Sequence, residues 1–151
     1  MEAIGKIVSE LLAGASWRDK EQKVAALTEQ DVLIVAPYNA QVSALIERLP
    51  ALKHRIGTVD RFQGQEAPVV IYSMSSSSPE DAPRGMEFLY SRHRFNVATS
   101  RARAMCILVG SPALFKAACK TSRQMKMANG FWVGSKPTLT VARSYILGIG
   151  L

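Results

Sequence analysis

The chain has 151 residues, 48% of them hydrophobic, so it can form one domain with a core and is not disordered as a whole. Two cysteines exclude a disulfide framework, no stretch reaches the roughly 18 apolar residues of a membrane span, and the N-terminus lacks a signal-peptide pattern; we expect a soluble, cytoplasmic protein without a membrane partner. The net charge of +7 is uneven, because residues 1–83 hold 8 Lys and Arg against 11 Asp and Glu, whereas residues 84–151 hold 11 against 1.

Hydrophobic periodicity predicts two helices and one buried strand in the first third of the chain. Apolar residues recur at helical spacing over 3–13, whereas residues 15–30 are polar and are predicted to be irregular. The run DVLIVAP (31–37) is short, apolar and rich in β-branched residues, which is typical of a strand buried on both faces. A second helical pattern over 42–49 stops at Pro50.

Three more strands and one more helix are predicted in the rest of the chain. RIGTV (55–59) and VVIYSM (69–74) indicate strands, and the polar segment 75–85 is predicted to be a loop. MCILVG (105–110) indicates another buried strand, and a helix is predicted to begin near Pro112. Strands that alternate with helices favour an α/β fold with a mainly parallel sheet.

Three polar clusters lie at or next to the ends of these strands: APYNAQ (36–41), TVDRFQGQE (58–66) and RFNVATSRAR (94–103). Ligands of open α/β sheets bind outside the carboxyl ends of the strands. We therefore expect the clusters, which are distant in sequence, to meet along one edge of the sheet.

The second cluster contains a glycine and a carboxylate that suit a nucleotide. Gly64 permits close approach of the backbone to a ligand, and the Glu66 carboxylate can accept hydrogen bonds from a ribose hydroxyl. By itself, a Gly-Gln-Glu segment is more typical of an ordinary turn, so both interpretations stay open at this point.

Taken together, the clusters resemble three ordered motifs of one protein family. APYNAQ resembles motif IV, TVDRFQGQE motif V and RFNVATSRAR motif VI of the second RecA-like motor domain of superfamily 1 helicases, in the DNA2/NAM7-like (Upf1-like) branch. The resemblance covers roughly residues 31–115. It implies a RecA-like, P-loop NTPase-type α/β domain over residues 1–128, followed by an atypical C-terminal tail over 129–151.

The resemblance implies a set of ATP-binding residues. Arg101 matches the arginine finger, the catalytic residue that stabilises charge on a transferring phosphoryl group. Arg103 matches the second motif VI arginine, which would brace the site or touch phosphate. Tyr38 would stack on a base or pack locally. The remaining residues of the set are Gln41, Glu66 at the ribose and Gly64 near the phosphates.

The resemblance also implies a track for single-stranded nucleic acid, with DNA favoured over RNA, formed by Thr58, Asp60 and Arg61. The basic balance of residues 84–151 agrees with a phosphate-bearing partner, although a solvated basic surface is the alternative. A direct contact by Asp60 would need a sugar hydroxyl or a bridging water, because a carboxylate repels phosphate.

Two features of a complete ATPase are absent from the sequence. It contains neither the G-x-x-x-x-G-K-[ST] loop (Walker A) nor an apolar strand that ends in paired acids for magnesium. We therefore expect ATP and Mg²⁺ to be bound mainly by an N-terminal RecA-like motor domain, in cis or in trans, and the isolated chain to be catalytically silent. No metal ligands are predicted in this chain.

Other functions remain as alternatives to the helicase interpretation. The principal one is a non-catalytic basic nucleic-acid-binding module, and another is a truncated gene product that lost its partner domain. Departures from the family pattern bear on this choice: Asn39 and Val42 stand where relatives often carry an additional arginine, and Ser100 replaces the usual threonine of motif VI.

Overall fold

The computed structural model describes residues 2–76, 84–111, 114, 119, 121–126, 140–142, 145–147 and 149–150. The helices, in chain order, are α1 (Glu2–Gly14), α2 (Asn39–Arg48), α3 (Gly85–Leu89) and α4 (Arg92–Thr99), and residues 122–126 are also helical. Short 3₁₀ turns span Glu29–Asp31, Pro50–Arg55 and Asp60–Phe62. The strands are β1 (Ser16–Arg18), β2 (Val24–Ala26), β3 (Val32–Val35), β4 (Ile56–Gly57), β5 (Ala67–Ser73), β6 (Ala102–Val109), β7 (Thr140–Ala142), β8 (Tyr145–Leu147) and β9 (Ile149–Gly150).

Four parallel strands form the central sheet, in the order β4-β3-β5-β6, and β9 adds an antiparallel strand beside β6. The hydrogen-bonded register places Val32 beside Val69 and Ala67 beside Ala102. Because parallel neighbours need crossover connections, each strand joins the next through helices or 3₁₀ turns on a face of the sheet. The predicted α/β fold with a mainly parallel sheet is confirmed.

Both faces of the sheet are buried, which is why its strands are continuous apolar runs rather than alternating ones. All four residues of β3 and all seven of β5 are buried. One face packs against α1 and α2 through side chains such as Ile4, Ile34 and Leu45. The other face is covered by residues 59–62, α3 and α4, and its core includes Phe62, Tyr72, Leu89 and Phe95.

The N-terminal elements agree with the sequence except at one place. The predicted first helix, the buried strand after it and the second helix correspond to α1, β3 and α2. Residues 15–30 were predicted to be irregular, and this is wrong, because β1 and β2 pair there as an antiparallel hairpin. The error has a physical origin: each strand has only three residues and all of β2 is exposed, so neither shows an alternating pattern.

The later strands begin earlier than their apolar runs. β5 begins at Ala67 and β6 at Ala102, in each case before the continuous hydrophobic stretch. The register of β5 against β6 shifts between Ala67 and Val69, around Pro68, which has no N–H to donate to a ladder. The predicted loop at 75–85 and the helix near Pro112 fall mainly outside the described residues.

The tail predicted over 129–151 contributes backbone pairing where it is described. Strands β7 and β8 pair with each other, and Ile149 and Gly150 of β9 pair with Cys106 and Met105 of β6. The domain boundary after residue 128 stays a prediction. Within the described ranges, no helix is long and apolar enough to cross a membrane, and no cluster of three or more His, Cys, Asp or Glu side chains could hold a metal ion.

Candidate nucleotide and nucleic-acid interface

The predicted site residues lie at two opposite edges of the sheet. Tyr38 follows β3 and Thr58 follows β4, so both lie at the carboxyl edge, whereas Glu66 precedes β5 and Arg101 precedes β6, at the amino edge. Residues of all three clusters, Tyr38, Thr58 and Arg94, line one cavity at the carboxyl edge, so the expected meeting of the clusters is observed there, whereas Glu66 and Arg101 lie at the opposite edge. The reason is that a connection which leaves one parallel strand must cross the whole sheet before it enters the next.

One face of the sheet connects the two edges. Residues 59–66 cross it from β4 to β5, and α4 crosses it before β6. Two cavities lie along this crossing. The Arg101 cavity, of about 420 Å³, is lined by Val59, Asp60, Gln63, His93, Arg94, Val97 and Arg101. The Tyr38 cavity, of about 240 Å³, is lined by Pro37, Tyr38, Asn39, Thr58, Asp60, Arg84, Phe88 and Arg94.

The backbone of Arg101 makes two hydrogen bonds, whereas its side-chain Nε makes none with the residues that the structure describes. Its N–H donates to the Ala98 carbonyl over 3.2 Å, and its carbonyl accepts from the Ala67 N–H over 3.0 Å. The Nε atom is buried and has no hydrogen-bond partner among the residues that the structure describes. A buried donor without a partner costs free energy, so the guanidinium has unused capacity to bind an acceptor.

Arg103 lies beside Arg101 but is already engaged. Its Nε lies 3.9 Å from a Glu66 carboxylate oxygen, and its guanidinium lies 5.6 Å from the centre of a Trp17 ring. Both partners of the ion pair are about half exposed, so the attraction is screened by solvent. The structure thus pairs Glu66 with Arg103 at the amino edge, whereas Arg101, at the same edge, lines a cavity to which neither contributes.

The predicted phosphate-proximal glycine occupies a turn that requires it. Gly64 has φ +82° and is exposed, and no heavy atom of another segment lies within 4 Å of the position of an added Cβ. The Gln65 N–H donates to the Phe62 carbonyl over 3.0 Å and closes the turn just before β5. Both the left-handed φ and the open space around the glycine leave its backbone accessible.

An aromatic and arginine stack forms the wall of the Tyr38 cavity. The Tyr38 and Phe88 rings stack with their centres 5.2 Å apart and an interplanar angle of 26°. The guanidinium groups of Arg94 and Arg84 lie 4.3 Å and 4.9 Å from the centre of the Phe88 ring, within the range of cation–π attraction. Tyr38 therefore packs against Phe88, and its predicted stacking on a nucleotide base stays a prediction.

Two tyrosines on this side remain neutral at physiological pH. Burial raises the pKa of Tyr38, an effect that Arg84 and Arg94 partly offset. Burial also raises the pKa of Tyr72, in the core below, to about 12. A neutral phenol ring carries no charge that would repel an anionic ligand.

The predicted nucleic-acid residues lie between the cavities. Asp60 pairs with Arg94 at 4.0 Å, which gives its carboxylate a partner inside the protein. The Nη1 of Arg61 donates to the Ile56 carbonyl over 3.1 Å. The aliphatic part of the Arg61 side chain covers Gly57, where an added Cβ would lie 2.5 Å from the Arg61 Cδ. Thr58 lines the Tyr38 cavity and accepts the Arg61 N–H at its carbonyl.

Gln41 lies apart from the other predicted ATP-binding residues. Its Nε2 donates to the Ser73 hydroxyl over 2.5 Å, in a third cavity at the carboxyl ends of β5 and β6. Arg101 precedes the opposite end of β6, and eight strand residues separate the two ends by about 26 Å. The structure does not bring Gln41 to Arg101, and its predicted contact with ATP stays a prediction.

Sequence reasoning assigned no role to three residues of the Tyr38 cavity: Arg84, Phe88 and Arg94. The excess of basic residues after position 83 was a signal for the arginines, but composition does not tell which of them meet. The position of Phe88 had no signal, because stacking on Tyr38 joins segments 50 residues apart.

Comparison with known proteins identifies the family. Residues 1–113 match the family described as AAA domain. This chain belongs to that AAA domain family, which is typical of the C-terminal region of DNA2/NAM7-like (Upf1-like) superfamily 1 helicases. The match includes all three motifs and both cavities, so the resemblance found in the sequence is confirmed.

Several helicases contain a segment similar to this AAA domain. The chain is 31% identical over 116 residues to "RNA helicase Mov10l1" of Homo sapiens, covering 72% of this chain and 10% of that protein. It is 32% identical over 113 residues to "DNA replication ATP-dependent helicase/nuclease dna2" of Schizosaccharomyces pombe, covering 71% and 8%. It is 38% identical over 88 residues to "DNA polymerase alpha-associated DNA helicase A" of the same yeast, covering 56% and 13%. The chain therefore spans about a tenth of the length of the curated relatives it matches.

Proposed function

We propose that this AAA domain is the C-terminal motor domain, or a fragment of it, of an ATP-dependent superfamily 1 nucleic-acid helicase. In this proposal Arg101 is the arginine finger for a triphosphate held mainly by an N-terminal RecA-like motor domain. The observation that carries the proposal is that Arg101 lines a cavity while its buried Nε has no hydrogen-bond partner within the described part of the chain.

The neighbouring arginines make the argument specific to Arg101. Arg94 lies 4.0 Å from an Asp60 carboxylate and Arg103 lies 3.9 Å from a Glu66 carboxylate. A carboxylate within 4 Å weakens the attraction of a guanidinium for an outside phosphate without abolishing it, because both ion pairs are partly solvated. An arginine supplied from a second domain raises phosphoryl-transfer rates by about 10³–10⁵, which corresponds to roughly 4–7 kcal/mol of barrier.

The residues at the amino edge fit the phosphate and sugar of a nucleotide. Arg101 and Arg103 provide cations, the open backbone at Gly64 permits close approach, and the Glu66 carboxylate can accept from ribose hydroxyls. ATP with Mg²⁺ would supply the reacting phosphoryl group and its metal. The contribution of this chain would be the positive charge of Arg101, held at a fixed position beside the bound triphosphate.

Single-stranded nucleic acid is the proposed track, in contact with the segment that contains Thr58, Asp60 and Arg61. The names of the relatives include both RNA and DNA helicases, so we propose the shared chemistry of a single strand, phosphate and base. Sequence-independent contacts suit a motor that steps along any sequence.

A chimera tests the finger assignment. The part of this chain that matches the yeast DNA polymerase alpha-associated DNA helicase A over 88 residues would replace its counterpart there, and ATP hydrolysis would be measured with and without single-stranded DNA. We expect Arg101→Ala to lower turnover by about 10³–10⁵-fold, and Arg101→Lys to recover only part of the loss because the planar fork is missing.

Arg48→Ala is the matched control for that chimera. Arg48 is exposed in the last turn of α2, against the other face of the sheet, so the loss of its charge should change turnover less than twofold. A folded, active chimera whose turnover changes equally little on Arg101→Ala would refute the finger role. It would favour the alternative of a non-catalytic basic nucleic-acid-binding module.

A further inference from the structure

The Tyr38 cavity combines features that no part of the finger proposal uses. Its wall consists of a stacked Tyr38–Phe88 pair with two arginines against the Phe88 ring. It lies at the carboxyl edge of the sheet, whereas Arg101 lies at the amino edge. Tyr38 and Arg101 therefore line different cavities, which share Asp60 and Arg94.

We propose that the Tyr38 cavity is a clamp for one nucleotide unit of single-stranded nucleic acid, in which Tyr38 provides a stacking surface for a base and Arg84 and Arg94 bind the adjoining phosphate. The inference rests on the proposed function in taking a single strand as the ligand. It reassigns Tyr38 from the ATP site to the nucleic-acid track and adds two arginines to that track.

The charge of the cavity fits one phosphate. Among its described lining residues Arg84 and Arg94 are the cations and Asp60 is the carboxylate, which leaves a net charge of +1. Asp60 is 83% exposed and lies 4.0 Å from Arg94, so its charge is directed at an arginine and largely solvated. Arg84 is exposed and takes part in no ion pair among the described residues, and its guanidinium has donors available beyond its contact with Phe88.

The aromatic part of the wall fits a base. Tyr38 and Phe88 are both half-buried, so each ring is supported by the protein and still reaches the surface. Bases stack on tyrosine rings and on the planes of arginine guanidinium groups without regard to sequence. Phe88 contacts Tyr38, Arg84 and Arg94 at once and so acts as a positioning residue, which holds the three binding groups in one place.

The volume and location agree with a single unit on a continuous path. A cavity of about 240 Å³ lies below the range of about 300–1,000 Å³ that is usual for small-molecule pockets, so it suits a base edge or a phosphate better than a whole nucleoside triphosphate. Thr58 lines the same cavity, and Arg61 follows within one turn of chain. The clamp therefore extends the proposed track rather than forming a separate site.

Binding of fluorescent oligo(dT) and oligo(U) of about 12 nucleotides to the 151-residue chain tests the clamp. We expect Tyr38→Ala to weaken binding of either strand by about 5- to 150-fold, the range for loss of one stacked base. Arg84→Ala should reduce the slope of log affinity against log salt concentration by about 0.7, the loss of one phosphate contact on a single strand. Phe88→Leu should weaken binding, and Phe88→Tyr should restore it.

The controls separate this inference from the finger proposal. Arg48→Ala removes the same charge from the other face and should leave the salt slope unchanged. Unaltered affinity in a folded Tyr38→Ala variant, or no binding of either strand by the parent chain at low salt, overturns the clamp, whereas the chimera's ATP turnover decides the finger independently. If only one of the two strands responds to Tyr38→Ala, the clamp stands and the strand is identified.

Discussion

The two cavities along α4 hold their arginines in opposite ways. In the Arg101 cavity the guanidinium Nε is buried without a hydrogen-bond partner among the described residues. In the Tyr38 cavity Arg94 lies 4.3 Å from the Phe88 ring centre and 4.0 Å from Asp60. Under the proposed function the first arrangement leaves a cation for an anion brought by another molecule, whereas the second holds its cation in a preformed wall.

The two proposed sites thus lie at opposite edges of the sheet, and one helix, α4, joins them. Arg94 stands in the first turn of α4 and lines both cavities, and Arg101 follows the last turn. Any change that tilts α4 would displace both arginines together. Changes at one cavity alone should leave the other intact, and this contrast can be tested in order of expected effect.

The largest effect is expected where α4 meets the core. Phe95 is 4% exposed, and its ring packs edge-on against Tyr72 with the centres 5.7 Å apart. Phe95→Ala should lower the free energy of unfolding by about 3–5 kcal/mol, because it leaves a cavity in place of a buried ring. Urea denaturation followed by circular dichroism would measure this loss, and oligo(dT) binding under native conditions should fall as well.

Phe95→Leu is the control for that change. Leucine keeps most of the apolar volume, so the loss of stability should be clearly smaller and both cavities should keep their function. Full stability of the alanine variant, or an intact Tyr38 clamp in a destabilised one, would show that α4 does not position Arg94.

The comparison of the two edges also shows which features of the fold and the site could be predicted from the sequence. The strand β3 was predictable because four consecutive apolar residues are typical of a strand buried on both faces. The motifs that contain Tyr38, Glu66 and Arg101 were recognisable as well, and the family they indicated is confirmed. Their placement was not predictable from the clusters alone, because the amino or carboxyl edge depends on which strand a segment follows and which it enters.

Contacts between residues that are distant in the sequence could not be predicted either. Trp17 meets Arg103, and Phe88 meets Tyr38, only after the sheet has formed. The early start of β5 was hidden by Pro68, which normally argues against a strand but here coincides with a shift in register. Each of these details depends on tertiary packing rather than on local preference.

A smaller loss of stability is expected when the pH is raised, because two groups buried in the core, Cys106 and Tyr72, resist ionisation in the folded state. Cys106 is 1% exposed on β6, and burial raises the pKa of its thiol to about 12, as it does for the hydroxyl of Tyr72. In the unfolded chain these groups ionise near their ordinary pKa values of about 8.5 and 10. Above those values the unfolded state loses protons that the folded state retains, so stability should fall as the pH rises towards 12.

Urea midpoints measured between pH 8 and 10.5 would check this dependence. Each group contributes at most about 1.4 kcal/mol per pH unit within its window, so the Cys106→Ala variant should show a shallower decline than the parent. An equal decline in both proteins would mean that the thiol ionises freely in the folded state. That result would contradict a tightly packed core beneath the two cavities.

The smallest effect is expected from a substitution of Asp60, which lines both cavities together with Arg94. Its sign distinguishes two possible roles of this residue. If Asp60 holds Arg94, as their 4.0 Å separation indicates, Asp60→Asn removes a negative charge near the proposed phosphate. Exposed pairs of this kind contribute about 0.2–1 kcal/mol, so oligo(dT) affinity should be kept or rise by up to about fivefold. If Asp60 instead accepts a hydrogen bond from the strand, the same substitution should weaken binding. The two roles predict opposite signs, and fluorescence anisotropy at 50 and 200 mM salt distinguishes them, because a gain that comes from removed charge shrinks as screening increases.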